Sequence, residues 1–308
     1  VAPYPEGGER LARTENSTQN AGGGMARRLI VGCGYLGKVL AARWRDAGHA
    51  VVATTRSADR AAEWRRSLQD NGWEPVVCDV LDPASLAALP PVDAAVYAVG
   101  FDRSAGLPMR RVYVEGLAAV AAALTAPRIV YVSSTSVYGQ TDGSVVDETS
   151  PTGPLEESGK VVLEAEATLR AARPDAILAR SAGLYGPGRL LRAEALRKGE
   201  PIVGLPDKWL NLVHVADAAA AIDRLLEAAP AGGVFTVADG SPVRRRDFYA
   251  TLARLLGAPE PRWLPPPEPL PASERVDRRV AAPGLRALGW RPAYADYAAG
   301  LSQAVGSP

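Results

Sequence analysis

Six residues, Gly32-Cys33-Gly34-Tyr35-Leu36-Gly37, follow a short apolar run and open an amphipathic stretch. That spacing has a chemical use. Gly32 permits a tight turn, Gly34 lets the main chain come close to a pyrophosphate, and Gly37 allows close helix–strand contact. Unpaired amides at the helix start, with Tyr35 and Leu36 at its first positions, then face the phosphate oxygens. At the end of the next apolar run, where an Asp or Glu would hold the ribose hydroxyls, the chain reads Thr54-Thr55-Arg56. A guanidinium pairs with a 2′-phosphate that a carboxylate would repel, so NADP(H) is expected over NAD, held by Thr55 and Arg56. Asp79, after the third run, is placed to accept from the adenine amino group. Gly100, after the fourth, leaves room for the cofactor across the sheet edge.

These positions make sense only if strands and helices alternate. Short apolar runs occur at Arg28–Cys33, Ala50–Thr55, Glu74–Cys78, Ala94–Val99, Arg128–Ser133 and Ala176–Arg180. They are continuous rather than alternating, as for strands covered on both faces. Between them lie helical stretches, Leu36–Ala47, Ala58–Asp70, Arg110–Leu124 and Gly159–Ala172. In the first, Leu36, Val39, Leu40 and Trp44 share one face. The pattern predicts an α/β fold, a Rossmann-type doubly wound parallel sheet. Residues 25–182 form its nucleotide-binding part, with 211–238 returning to it. After Arg180 Pro and Gly become dense, up to the run PPPEPLP at 265–271, so 183–210 and 240–308 are expected to form a smaller substrate lobe. Residues 1–24, rich in Gly, Asn and Ser without an apolar segment, read as a disordered tail rather than a signal peptide.

Composition excludes several other functions. The net charge of +1, with both signs mixed along the chain, gives no electrostatic footprint for nucleic acid. No apolar run reaches the ~20 residues of a membrane span. Cys33 and Cys78, with only His49 and His214 besides, offer neither a disulfide framework nor a metal spacing. A reduced, cytoplasmic protein without a metal is expected, with Cys33, Cys78 and His214 in structural roles.

Beyond the glycine loop, YVSSTSVYG at 131–139, SAGLYGPG at 181–188, NLVHVAD at 211–217, FTVAD at 235–239 and LGWRP at 288–292 resemble the extended short-chain dehydrogenase/reductase family, its NAD-dependent epimerase/dehydratase group. The resemblance covers nearly all of 27–302. It implies a catalytic Ser or Thr, a Tyr and a Lys, the last two spaced Y-x-x-x-K, acting on a substrate between the sheet's C-terminal edge and the lobe. The serine maps to Ser134. The lysine maps to Lys160, where it would also hold the nicotinamide ribose. The tyrosine position is Glu156, and none of the ten tyrosines is followed by a lysine four residues on. A carboxylate there could serve as a general base but would be a poor acid; Tyr138 and Tyr185 are other candidates. The family's arginine for a sugar-nucleotide diphosphate maps to Leu210, with Lys208 nearby, while Arg278 and Arg279 could hold a phosphate or carboxylate instead. Trp209 is placed to wall the substrate cleft. The resemblance also allows a homodimer through the helices at 110–124 and 159–172.

Two functions follow. One is an oxidoreductase or epimerase moving a hydride between NADP and a small polar carbonyl or hydroxyl compound. The other, favoured by the missing tyrosine, is a sensor or scaffold that binds NADP(H) without turnover.

Overall fold

The computed structural model describes residues 25–67 and 72–306. The expected tail at 1–24 and the last residues of the expected helix Ala58–Asp70 lie outside that range. Seven parallel strands form the central sheet: β1 (Arg27–Val31), β2 (Ala50–Thr55), β3 (Trp73–Val77), β4 (Ala94–Tyr97), β5 (Arg128–Ser134), β6 (Ile177–Ser181) and β7 (Val234–Val237). Their order is β7-β6-β5-β4-β1-β2-β3. The reversal at β1 is the switch point at which open α/β sheets leave a crevice at their carboxyl edge.

The sheet is buried from both sides because its strands carry apolar residues at successive positions. In β1, Leu29 and Val31 point into one core while Ile30 points into the other. One face is covered by α1 (Tyr35–Asp46), which presents Leu36, Leu40, Ala41 and Trp44 at helical spacing. Beside it lies α5 (Val215–Ala228), with Ala218, Ile222 and Leu225 buried. The other face is covered by α3 (Gly116–Ala123) and α4 (Glu157–Ala172), through Leu117, Val120, Val161 and Leu169. Between β2 and β3, α2 (Ala58–Arg66) starts at Ser57, whose hydroxyl accepts from the Arg60 amide at 3.1 Å.

Two sequence expectations are refined. The helix expected over 110–124 begins as a π-turn, Arg111–Glu115, before α3. Within it the buried Tyr97 hydroxyl donates to the Val112 carbonyl at 2.9 Å, a side chain inserted at the widened turn. The segment expected in the lobe is also divided. Tyr185, Leu196, Leu212, Val243, Phe248, Leu252 and Leu301 form a separate apolar cluster, built on α6 (Arg245–Leu255) and α7 (Tyr297–Gly306), with Leu212 supplied by the segment expected to return to the main core. Val280, Ala282, Leu285 and Trp290 instead join the main core, because the short helix Pro283–Ala287 covers the edge strand β7. Among the described residues no helix is long and apolar enough to cross a membrane.

α5 is locked to the sheet by one carboxylate. Asp223 accepts from Arg28 at 2.7 Å, from Arg43 at 2.9 Å and from the Trp44 indole at 3.0 Å. Arg28 and Asp223 are each about 10% exposed. Asp223→Ala leaves Arg28 buried without its counter-charge, and urea unfolding should show a loss of about 3–5 kcal/mol.

Candidate active site

The loop between β1 and α1 is fixed by its own main chain and by β2. The Gly32 amide donates to Thr54 Oγ1 at 2.9 Å, and the Cys33 amide to the Thr54 carbonyl at 3.1 Å. Gly32 has φ +88°, and a Cβ there would stand 2.6 Å from the Val99 Cα, so turn and close approach both demand glycine. A Cβ on Gly37 would meet the Gly32 carbonyl and Ile30 at 3.1 Å, the close helix–strand contact. Gly34 differs. Nothing lies within 4 Å of its Cβ position, and it starts α1 with no side chain capping the free amides and no acid in the first turn.

That open space belongs to a cleft of about 260 Å³ running over the carboxyl ends of β1, β2, β3 and β4. Gly32, Gly34, Thr55, Arg56, Asp79 and Gly100 all line it. Gly100, like Gly34, has open space at its Cβ position. Thr55 accepts from the Ser57 amide at 3.2 Å, and Asp79 accepts from the Leu81 amide at 2.9 Å. Tyr35 and Leu36 are placed differently. Leu36 is buried in the core, while Tyr35 lines an adjoining hollow with Gly34, Lys38 and Arg60, its ring under Arg189 at 5.4 Å. Burial raises the Tyr35 phenol above its usual value. Cys33 is buried, which pushes its thiol up to about 12 and leaves it inert.

Two charged residues of this cleft were not found from sequence. Arg60 lines it one helical turn after Arg56, a spacing visible in the sequence once α2 is placed. Asp102, on the loop after β4, pairs with Arg56 at 3.0 Å across the mouth, and no local signal reports that contact. The Ser104 hydroxyl and amide, then Arg56, hold the Asp102 carboxyl below its ordinary value. The free amides, the space over Gly34 and the guanidinium at the β2 end fit a dinucleotide: a diphosphate at the loop and a ribose toward Arg56.

A second hollow, about 180 Å³, opens between the sheet edge and the lobe, lined by Thr135, Glu156, Lys208, Trp209, Arg245 and Arg278 among others. Trp209 walls it, its ring held by Arg244 at 3.7 Å and Arg279 at 5.5 Å.

A family model described as the NAD dependent epimerase/dehydratase family matches residues 29–238. The chain belongs to this family. Protein YeeZ of Escherichia coli K12 is 36% identical over 251 residues, covering 78% of this chain and 87% of YeeZ. A dTDP-4-dehydrorhamnose reductase of Mycolicibacterium smegmatis is 26% identical, with 90% of this chain and 86% of the reductase covered. Among solved structures, the dTDP-glucose 4,6-dehydratase DesIV of Streptomyces venezuelae, with NAD and TYD bound, superposes with a TM-score of 0.77. It covers 91% of this chain and 95% of DesIV at 23% identity, a likeness of fold.

The residues expected at the family's catalytic positions are distributed unequally in this structure. Ser134 ends β5, and its Oγ accepts from the Ser136 amide at 3.1 Å, so its own O–H remains to donate. Glu156 precedes α4 and faces the second hollow. Lys160 is not brought to either hollow: it is more than half exposed, with its ammonium 3.3 Å from Glu157. Helical phase explains this. Gly159, Val162 and Glu166 form the inward face of α4, and Lys160 and Glu164 fall on the outward one. Glu166 is clamped by Arg180, at 2.7 Å, and by the Ser133 hydroxyl at 2.5 Å. Arg180 also donates to Tyr138 at 3.0 Å. Tyr138 and Tyr185 are fully buried, and burial raises both phenols. His214 caps α5, accepting from the Ala216 amide at 3.3 Å.

The glycine geometry separates two variants. Gly32→Ala forces an alanine into left-handed backbone against Val99, and urea unfolding should show a loss of about 1–3 kcal/mol or more. Gly34→Ala adds a methyl to open space and should leave the unfolding midpoint close to that of the parent protein.

Proposed function

We propose that the protein is an NADP(H)-dependent oxidoreductase acting on a small polar carbonyl or hydroxyl compound. The observation that carries this reading is the cleft at the β1 switch point, with free helix amides over Gly34 and Arg56 at its far end. The amides of α1 would hold the diphosphate. Arg56, assisted by Arg60, would take the 2′-phosphate, with Asp79 near the adenine. NADP in place of NAD rests on the absence of an acid after β2 and on these two guanidiniums.

Bound there, the nicotinamide would supply or accept a hydride. Everything else falls to the chain. Ser134, with its lone pair engaged by Ser136, donates its O–H to the substrate oxygen and polarises it. Glu156, facing the second hollow, takes the alcohol proton as hydride leaves for the nicotinamide and, in the reverse direction, returns it to the oxygen as hydride adds to the carbonyl. Lys160 stands outside this set unless α4 turns, which favours a base carried by Glu156 over the tyrosine–lysine pair of the family. The same exposure of Lys160 is what supports the alternative, a dinucleotide-binding sensor without turnover.

Calorimetry with NADPH and NADH tests the cofactor. Arg56→Ala should weaken NADPH roughly tenfold or more and leave NADH unchanged; equal effects on both would remove the 2′-phosphate assignment. For the reaction, NADPH oxidation across a panel of small carbonyl compounds should be sustained in the parent protein and lost in Ser134→Ala and Glu156→Gln. Tight NADPH binding with no turnover on any compound would establish the sensor instead.

A further inference from the structure

The two guanidiniums of the dinucleotide cleft are not equally free. Arg60 forms no ion pair among the described residues, whereas Arg56 donates from Nη2 to Asp102 Oδ2 at 3.0 Å. The Asp102 carboxylate is aimed by its own loop. Its other oxygen, Oδ1, accepts from the Ser104 amide at 3.0 Å and from the Ser104 hydroxyl at 2.5 Å, capping the short turn Arg103–Ala105. Gly106, at φ +67°, ends that turn. The base of the loop is anchored by Phe101, whose ring meets Tyr113 edge-on at 6.4 Å. Asp102, Ala105 and Leu107 line the same cleft as Thr55, Arg56 and Arg60.

One oxygen of Asp102 thus holds its loop, and the other reaches over to Arg56. The second contact is open to exchange, because both side chains are 47% exposed and such pairs are weakly held. A phosphate monoester carries about −1.5 to −2 in charge near neutral pH, with three acceptor oxygens. It outcompetes a single carboxylate for the planar fork of Arg56. An uncharged ribose hydroxyl does not. We propose that Asp102 tunes the choice between NADP(H) and NAD(H): it is the counter-ion that a 2′-phosphate displaces from Arg56 and that an unphosphorylated ribose leaves in place. This deepens the NADP(H) reading and rests on it. The exchange weakens NADPH in two ways. Arg56 gives up one partner to take another, and Asp102, held by Ser104, stays near the phosphate as a like charge. NADH meets neither penalty. The preference created by Arg56 and Arg60 at the β2 end is therefore moderated from the β4 loop.

The full-length protein and its variants are titrated with NADPH and with NADH by calorimetry. Asp102→Asn keeps a carbonyl oxygen for the Ser104 amide and removes only the charge. It should tighten NADPH roughly threefold to tenfold and leave NADH within about twofold, which also shows that the variant is folded. The gain should shrink at about 1 M salt, where exposed charges are screened. In an Arg56→Ala background the same substitution should gain less, since no guanidinium remains to be released. Weaker NADPH binding in Asp102→Asn, equal changes for both dinucleotides, or full additivity with Arg56→Ala would each overturn the exchange. If Arg56→Ala weakens NADPH but Asp102→Asn changes nothing, the exchange is refuted and the NADP(H) reading stands. If the parent binds neither dinucleotide, or Arg56→Ala leaves NADPH binding intact, the NADP(H) reading fails and the exchange with it.

Discussion

The parallel pairing of β1 with β2 on one side and β4 on the other is the constraint from which the rest follows. Parallel strands end at the same sheet edge, so every loop that leaves a carboxyl end arrives at one crevice. The register brings Gly32 against Val99 closely enough that no side chain fits between them. It also sets Thr54 under the loop, where its hydroxyl and carbonyl take the Gly32 and Cys33 amides. The α1 amides, the β2 terminus and the β4 loop therefore converge without any of them being near in sequence.

The buried charges divide into two kinds. Asp223 and Glu166 are saturated: each binds a buried arginine and a further donor, and each joins a helix to the sheet. Such groups position elements and leave nothing over for a ligand. Lys208, buried, and Arg278, half-buried, are the other case, cations held against main-chain carbonyls at the rim of a hollow. The same physics applies to both, since a charge removed from water requires an opposite partner. In the first kind a bonded partner provides it, and in the second the carboxylates of Glu156, Glu274 and Asp277 act from nearby without an ion pair.

Helix geometry makes the placement of Glu156 and Lys160 intelligible. With Glu166 drawn inward by Arg180 and Ser133, the phase of α4 is set, and residues six positions earlier must face outward. Lys160 pairs with Glu157 at the surface as a result. Glu156, just before the helix, is not bound by that phase and faces the second hollow.

The sequence alone determined the sheet and the glycine loop at its switch point. Continuous apolar runs and glycine spacing are local signals, and backbone sterics give them one reading; they set Gly32, Gly34, Thr55, Arg56, Asp79 and Gly100 at the carboxyl edge, where one cleft gathers them. Tertiary structure alone decided what depends on distant segments. It paired Asp102 with Arg56 over 46 positions and laid the Pro283–Ala287 helix on the main core. It also turned Lys160 to the surface and gathered Lys208, Arg278 and Glu156 around one hollow. Helical phase and cross-lobe contact are set by the packing of whole elements, and no local run of residues encodes them.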